Sequence, residues 1–336
     1  MPTLSIMTIT NVAHNLHEFA IKKTQQNVPW DEVVWISDRE PITLDKDRLR
    51  IIDIEKIEKI YFDNFDNNDT PMPFNIGQYC YFCLNGFYNY IKTDFTLIVQ
   101  NDSMAVDKKH WTDEYFKYDY IGPATHLSFA PVRGSLENKI DETNENKYKK
   151  YAKNLDWFNG GGGFSLRSRK LIDVLASDKE IIDMLDYNCE DIAISVLSRE
   201  YLEKKHNIKF APIDLCLKFA TELLVLQDYY QQRSLGFHGW YNAPLCLSEA
   251  ECIFYFKELQ NVNKSSFHLS GYELHNLALN CLRRNYYVLA KYLMSIKKWP
   301  YFILPYDISS KECDEIKSKS TMNVLNPHTI KSPKIW

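Results

Sequence analysis

The sequence predicts an α/β fold: a mostly parallel, Rossmann-like sheet flanked by helices, with a helical extension at the C-terminal end. Three observations predict it. Short apolar, β-branched runs recur at Leu4–Thr10 (LSIMTIT), Glu32–Ser37 (EVVWIS) and Phe95–Gln100 (FTLIVQ), as in strands covered on both faces. Helical spacing separates them, over His14–Gln26 and Ile76–Ile91. After about Asn242 the strand signals stop and helical spacing takes over.

Composition sets the outer limits. A length of 336 residues exceeds an α/β domain of about 250 residues, so residues 1–243 are expected to form the sheet domain and residues 244–336 the extension. Apolar residues make up 45% and charged residues 25%, enough to build a core and contrary to extended disorder. Lys plus Arg number 40 against 44 Asp plus Glu, and the formal charge of -4 gives no general attraction to nucleic-acid phosphates or anionic lipid. The opening MPTLSIMTIT lacks the basic start and apolar stretch of a secretory leader, and no window approaches the roughly 20 apolar residues of a membrane span, so a cytoplasmic protein is expected. Eight cysteines are scattered without paired zinc-ribbon spacing and read as reduced, packed thiols.

In chain order, strand, helix and strand cover Leu4 to Ser37, a short strand lies near Arg50–Ile54, and the helix over Ile76–Ile91 leads into the strand ending at Gln100. Such sheets bind ligands outside the carboxyl ends of their strands, which singles out residues just after Thr10, Ser37 and Gln100. Pro131–Lys153 is polar and highly charged and is expected as an exposed loop, either a plain connection or a lid. Ser248 and Glu251 form a capping box that opens the helix SEAECIFYFKELQ. Leu274, Leu277, Ala278, Cys281 and Leu282, then Leu289, Ala290 and Leu293 beyond a turn at Arg284-Asn285, predict a helical hairpin similar to one tetratricopeptide unit. The tail after Lys311, rich in Lys, Ser and Pro, is expected to be poorly ordered.

Four segments carry polar chemistry. In Thr96–Ser103 an apolar strand runs straight into Gln100, Asn101, Asp102 and Ser103; Asp102 there either caps the next turn or holds a divalent cation against a diphosphate. In Trp157–Arg169 four glycines permit positive φ and close backbone approach by a ligand, or form a plain flexible loop. Glu190 and Asp191 stand at the threshold of an apolar helix, where carboxylates either complement the dipole or supply a general base. His238 lies between Gly236-Phe237 and Gly239, as a structural imidazole or a metal ligand.

Taken together, Leu97-Ile-Val-Gln-Asn-Asp-Ser103, Tyr118-Asp-Tyr-Ile-Gly-Pro123, Asn159 to Arg169, Glu190-Asp191 and Gly236-Phe-His-Gly239 resemble a family catalogued as a domain of unknown function and regarded as glycosyltransferase-like, with the nucleotide-sugar fold called GT-A. The resemblance spans roughly Leu4 to Tyr241. It implies that Asp102 stands where such enzymes keep an Asp-x-Asp metal motif, that the glycine run walls the acceptor side, that Glu190 or Asp191 is the base, and that His238 is a late metal ligand. Gln100 and Met104 flank Asp102 where a second Asp could lie, so the motif is incomplete.

The expected enzyme moves a sugar from a nucleoside diphosphate sugar to an acceptor hydroxyl with Mn²⁺ or Mg²⁺. Thr10, Asp38, Gln100, Asn101 and Asp102 are its donor-binding candidates, and Asp102 with His238 its metal ligands. Trp157, Gly161, Gly162, Gly163 and Phe164 are its acceptor-binding candidates, and Asp191, slightly ahead of Glu190, its base for inverting attack. The partners expected are a nucleotide sugar and a carbohydrate, lipid-linked or protein acceptor. Transfer to a nucleic-acid base and a non-catalytic binding module are the rival readings.

Overall fold

The computed structural model of the chain describes residues 1–57, 76–126, 157–178, 180–181, 190–222, 234–262, 277, 280–281 and 284–296. The chain divides into two compact units, Met1–His238 and Gly239–Trp336. The expected charged loop at 131–153 and the tail beyond Lys311 lie outside the described residues.

In the first unit the strands are β1 (Leu4–Thr10), β2 (Glu32–Ser37), β3 (Leu49–Asp53), β4 (Phe95–Val99), β5 (Ser103–Ala105), β6 (Tyr120–Ile121), β7 (Ala124–His126), β8 (Trp157–Asn159), β9 (Phe164–Ser168), β10 (Ala220–Thr221) and β11 (Gly236–His238). Six of them form the central sheet in the order β3-β2-β1-β4-β9-β6. The first four run parallel and β9 alone is reversed, so the fold is mixed α/β on a mostly parallel sheet. The sheet core is apolar for a topological reason: β1, β2 and β4 have neighbours on both edges and layers on both faces, and β1 and β4 are buried throughout.

Helix α1 (His14–Gln25) returns from β1 over one face, where Thr8 Oγ1 meets His17 Nδ1 at 2.6 Å. Met7 and Ile9, one residue out of step, point to the other face and pack with Val34, Ile36 and Ile98 against Cys80, Phe82 and Cys83 of α2 (Ile76–Asn85). The expected helix over Ile76–Ile91 is interrupted: α2 stops at Asn85 and a 3-10 turn covers Phe87–Asn89. A Cβ on Gly86 would lie 2.1 Å from the Phe82 ring, so the glycine at the break leaves room for that ring. Helix α3 (Arg169–Ser177) starts at Ser168, whose hydroxyl accepts from the Leu171 N–H at 3.1 Å. Helices α4 (Arg199–His206) and α5 (Ile213–Phe219) complete the unit, and β10, β11 and β5 make a small sheet of their own.

In the second unit α6 (Ala243–Cys246) leads to α7 (Glu249–Val262), and α8 (Tyr287–Ile296) packs on α7. The capping box forms: Glu251 N donates to Ser248 Oγ at 3.3 Å, and Ser248 N to Glu251 Oε2 at 2.9 Å. Asn285 takes the left-handed conformation at the expected turn, and Leu277, Cys281, Leu289 and Leu293 are buried; Leu274, Ala278 and Leu282 lie outside the described residues. The six described cysteines are free thiols. No helix among the described residues is long and apolar enough to cross a membrane.

Leu97 is fully buried at the centre of β4, bonded to a strand on each side. Leu97→Ala is expected to destabilise the first unit by about 2–5 kcal/mol, read as a fall in its urea midpoint with little change in the slope.

Candidate functional site

The carboxyl ends of β1, β2 and β4 and the amino end of the reversed β9 meet at one edge of the sheet. Chain direction changes side between β1 and β4, and a crevice at such a switch point is the usual ligand position in open α/β sheets. Asp102 sits here because the turn after β4 is pinned. Gln100 N donates to Ser103 Oγ at 2.8 Å and to Gly163 O at 3.1 Å, and Ser103 Oγ donates to Gly163 O at 2.6 Å.

The small sheet then brings distant residues to Asp102. Strand β11 pairs antiparallel with β5, setting His238 opposite Ser103, and β10 runs parallel to β11, placing Glu222 beside His238. His238 Nε2 is 3.9 Å from Asp102 Oδ2, and His238 Nδ1 donates to Glu222 Oε1 at 2.9 Å. Burial opposes a charge on His238, but Asp102, Glu222 and Asp191 outweigh it and push its pKa up to about 10. Asp102 Oδ1 is buried and has no hydrogen-bond partner among the described residues.

The glycine run is the floor of this cluster, and three of its glycines stand against the protein's own polar groups. A Cβ on Gly161 would lie 2.7 Å from Glu222 Oε2, on Gly162 1.9 Å from Glu190 Oε1, and on Gly163 2.2 Å from Gln100 Oε1 and 2.7 Å from His238 Nε2. The missing side chains make room for the protein's own polar groups. Gly161 also has φ of 61°, a backbone angle that L side chains rarely adopt.

Two expected site residues are engaged elsewhere. Phe164 is fully buried, its ring 5.1 Å from that of Phe219, and is a core side chain rather than a wall of an acceptor cleft. Glu190 is buried and bonded to Arg167 Nη2 at 2.9 Å, with the Cys80 thiol on its other oxygen at 3.7 Å. Arg167 itself is fully buried, with its guanidinium over the Phe87 and Tyr120 rings, so Glu190 balances an interior charge instead of waiting for a substrate proton. Asp191, next along, is only partly buried. Burial, then Glu190 and Glu222, raise its pKa to about 7, against the pull of the Ile192 N–H and His238.

Thr10 and Asp38 lie at the ends of β1 and β2. Thr10 is buried and bonds within its own turn to Val12. Asp38 is 42% exposed and takes a 2.6 Å hydrogen bond from His14 Nε2. Burial disfavours its charge, yet His14 and Ser37 hold its carboxyl below the usual range. Asn101 and Trp157 are partly exposed, in the turn after β4 and on β8. Glu222 and Arg167 were not among the sequence candidates. Arg167 offers a signal, a charged residue inside the strand FSLRS, whereas nothing local marks Glu222.

Removing one member of the Arg167–Glu190 pair strands the other charge inside. Glu190→Gln is expected to destabilise the chain by about 3–5 kcal/mol, while Arg167→Met combined with Glu190→Leu recovers most of that loss in thermal unfolding. A Glu190 free for catalysis gives neither the loss nor the recovery.

Comparison with known proteins adds the following. No curated protein matches the sequence. Among solved structures, glucosyl-3-phosphoglycerate synthase from Mycobacterium tuberculosis, determined with Mn²⁺, UDP and glucosyl-3-phosphoglycerate, is similar at 11% identity and a TM-score of 0.34, over 62% of this chain and 68% of that one. A second mycobacterial protein is similar at 11% identity and a TM-score of 0.34, over 65% of this chain and 72% of that one. Residues 65–238, a span that holds Asp102, the glycine run, Asp191, Glu222 and His238, match the family model described as protein of unknown function (DUF5672), and the chain belongs to that family.

Proposed function

We propose that the chain is a glycosyltransferase of GT-A-like fold, moving a sugar from a nucleoside diphosphate sugar to an acceptor hydroxyl. One observation carries the reading: Asp102, with a buried oxygen unpaired among the described residues, and His238 face each other at the switch point of the sheet, and Asp191 belongs to the same electrostatic cluster. Among the described residues no group of three or more His, Cys, Asp or Glu could hold a metal ion by itself. Two donors suit a cation shared with a ligand, since Mg²⁺ and similar ions are commonly held by one or two protein groups plus phosphate oxygens and water. Asp102 and His238 would hold it, and its contribution is to neutralise charge on the leaving diphosphate.

Thr10, Asp38 and Asn101 line the donor edge in this reading, with Trp157 on the acceptor side. Asp191 takes the proton from the acceptor hydroxyl. The acceptor oxygen then forms a bond to the anomeric carbon while the bond to the diphosphate oxygen breaks, and the electron pair leaves with the diphosphate. A carboxylate with a pKa near the working pH is suited to that transfer, being ionised enough to accept a proton and basic enough to want one.

Thermal stabilisation of the full chain by a panel of nucleoside diphosphates, with Mn²⁺, Mg²⁺ or chelator, tests the donor site. Saturation at 100 times Kd is expected to add about 2.7 kcal/mol for one nucleotide, in a metal-dependent way that Asp102→Asn abolishes. No shift with any nucleotide sinks the reading in favour of a module that binds something else. For transfer itself, only ionised Asp191 can accept the proton, so kcat/KM should rise with pH to a plateau above about 7 and fall about tenfold per unit below it. Asp191→Asn should remove that limb along with most of the rate.

A further inference from the structure

We infer that Glu222 is the positioning residue for His238, fixing which ring nitrogen faces Asp102. The inference rests on the reading of Asp102 and His238 as a shared cation site, and it adds a residue to that site. Glu222 follows the two-residue strand β10, whose register with β11 (Thr221 opposite Phe237) sets Glu222 beside His238. Both of its oxygens are engaged: Oε1 accepts from His238 Nδ1 at 2.9 Å and Oε2 from Thr125 Oγ1 at 2.9 Å. Thr125 is buried on β7, and Oε2 lies against the Gly161 backbone where any Cβ would sit 2.7 Å away. The carboxylate is therefore held from two sides, and its side chain is 15% exposed.

With Nδ1 donating to a fixed carboxylate, the ring meets a cation only through Nε2, where the cation displaces the second proton, and Nε2 is the atom 3.9 Å from Asp102 Oδ2. The same bond raises the basicity of the ring as a ligand, and carboxylate partners of ligating histidines typically change metal affinity by about 10–100-fold when removed. Glu222 thus acts through His238. A direct cation ligand in the same place would behave differently on mutation, which separates the two roles.

The test is Mn²⁺ titration of the full chain, followed by loss of the free-ion signal in electron paramagnetic resonance, with and without UDP. Glu222→Ala is expected to weaken Mn²⁺ binding by about 10–100-fold. Glu222→Gln, close in shape and still able to accept from Nδ1, is expected to fall between the two and keeps the test open if the alanine variant fails to fold. Added to His238→Ala, Glu222→Ala should change affinity no further, because its effect passes through the ring. A further loss in that background overturns positioning in favour of direct ligation. Binding that is lost in Asp102→Asn but undiminished in Glu222→Ala and Glu222→Gln overturns this inference alone. No Mn²⁺ uptake by the wild-type chain, with or without UDP, overturns the shared cation site and the inference with it.

Discussion

The constraint on which the rest of the site depends is the absence of three adjacent Cβ atoms at Gly161, Gly162 and Gly163. Each vacancy admits a different polar group: the Glu222 carboxylate, the Glu190 carboxylate, and the Gln100 amide with the His238 ring. These groups arrive from four separate parts of the chain. The backbone here serves as a common contact surface, and groups distant in sequence are brought together because each can reach the same short stretch of main chain. Hydrogen bonds from Ser103 and Gln100 to the Gly163 carbonyl then tie the β4 turn to that surface.

Electrostatics divides the cluster into an interior pair and an outer group. Arg167 and Glu190 neutralise each other under the glycines, and the low polarity around them makes their mutual dependence strong. On the open side, Asp102, Glu222 and Asp191 crowd negative charge around one imidazole, which responds by holding its proton, while Asp191 is driven toward neutrality. The two shifts have one origin. Carboxylates sharing a partly dry space either gather positive charge or shed their own.

Much of the scaffold was legible in the sequence, because buried parallel strands leave continuous apolar runs and the residue after such a run is fixed at the sheet edge. Leu4–Thr10, Glu32–Ser37 and Phe95–Val99 form strands where the pattern placed them, and Asp102 stands at the tip of the last. Local chemistry was legible too in the Ser248–Glu251 capping box. The break at Gly86 was not, since a single glycine inside a helical pattern does not say whether the helix stops there. Nor could spacing reveal that Phe164 turns inward to Phe219, that Glu190 is claimed by Arg167, or that Glu222 meets His238. Those facts follow from register between strands far apart in the chain, and a glycine run looks the same whether it admits a ligand or a neighbouring side chain.

The reversal of β9 has a bearing on how this edge handles anions. Its Ser168 end lies opposite Phe95, at the start of β4, so the capped N-terminus of α3 opens at the edge away from Asp102. The positive end of that helix dipole is spent on the far side of the sheet, where it cannot meet a phosphate at the site. The α3 dipole therefore gives no help to an anion near Asp102, and the positive charge next to that carboxylate is the proton that His238 holds. Of the two helices it is α1, beginning at His14 just past the carboxyl end of β1, whose amino end opens on the Asp102 edge.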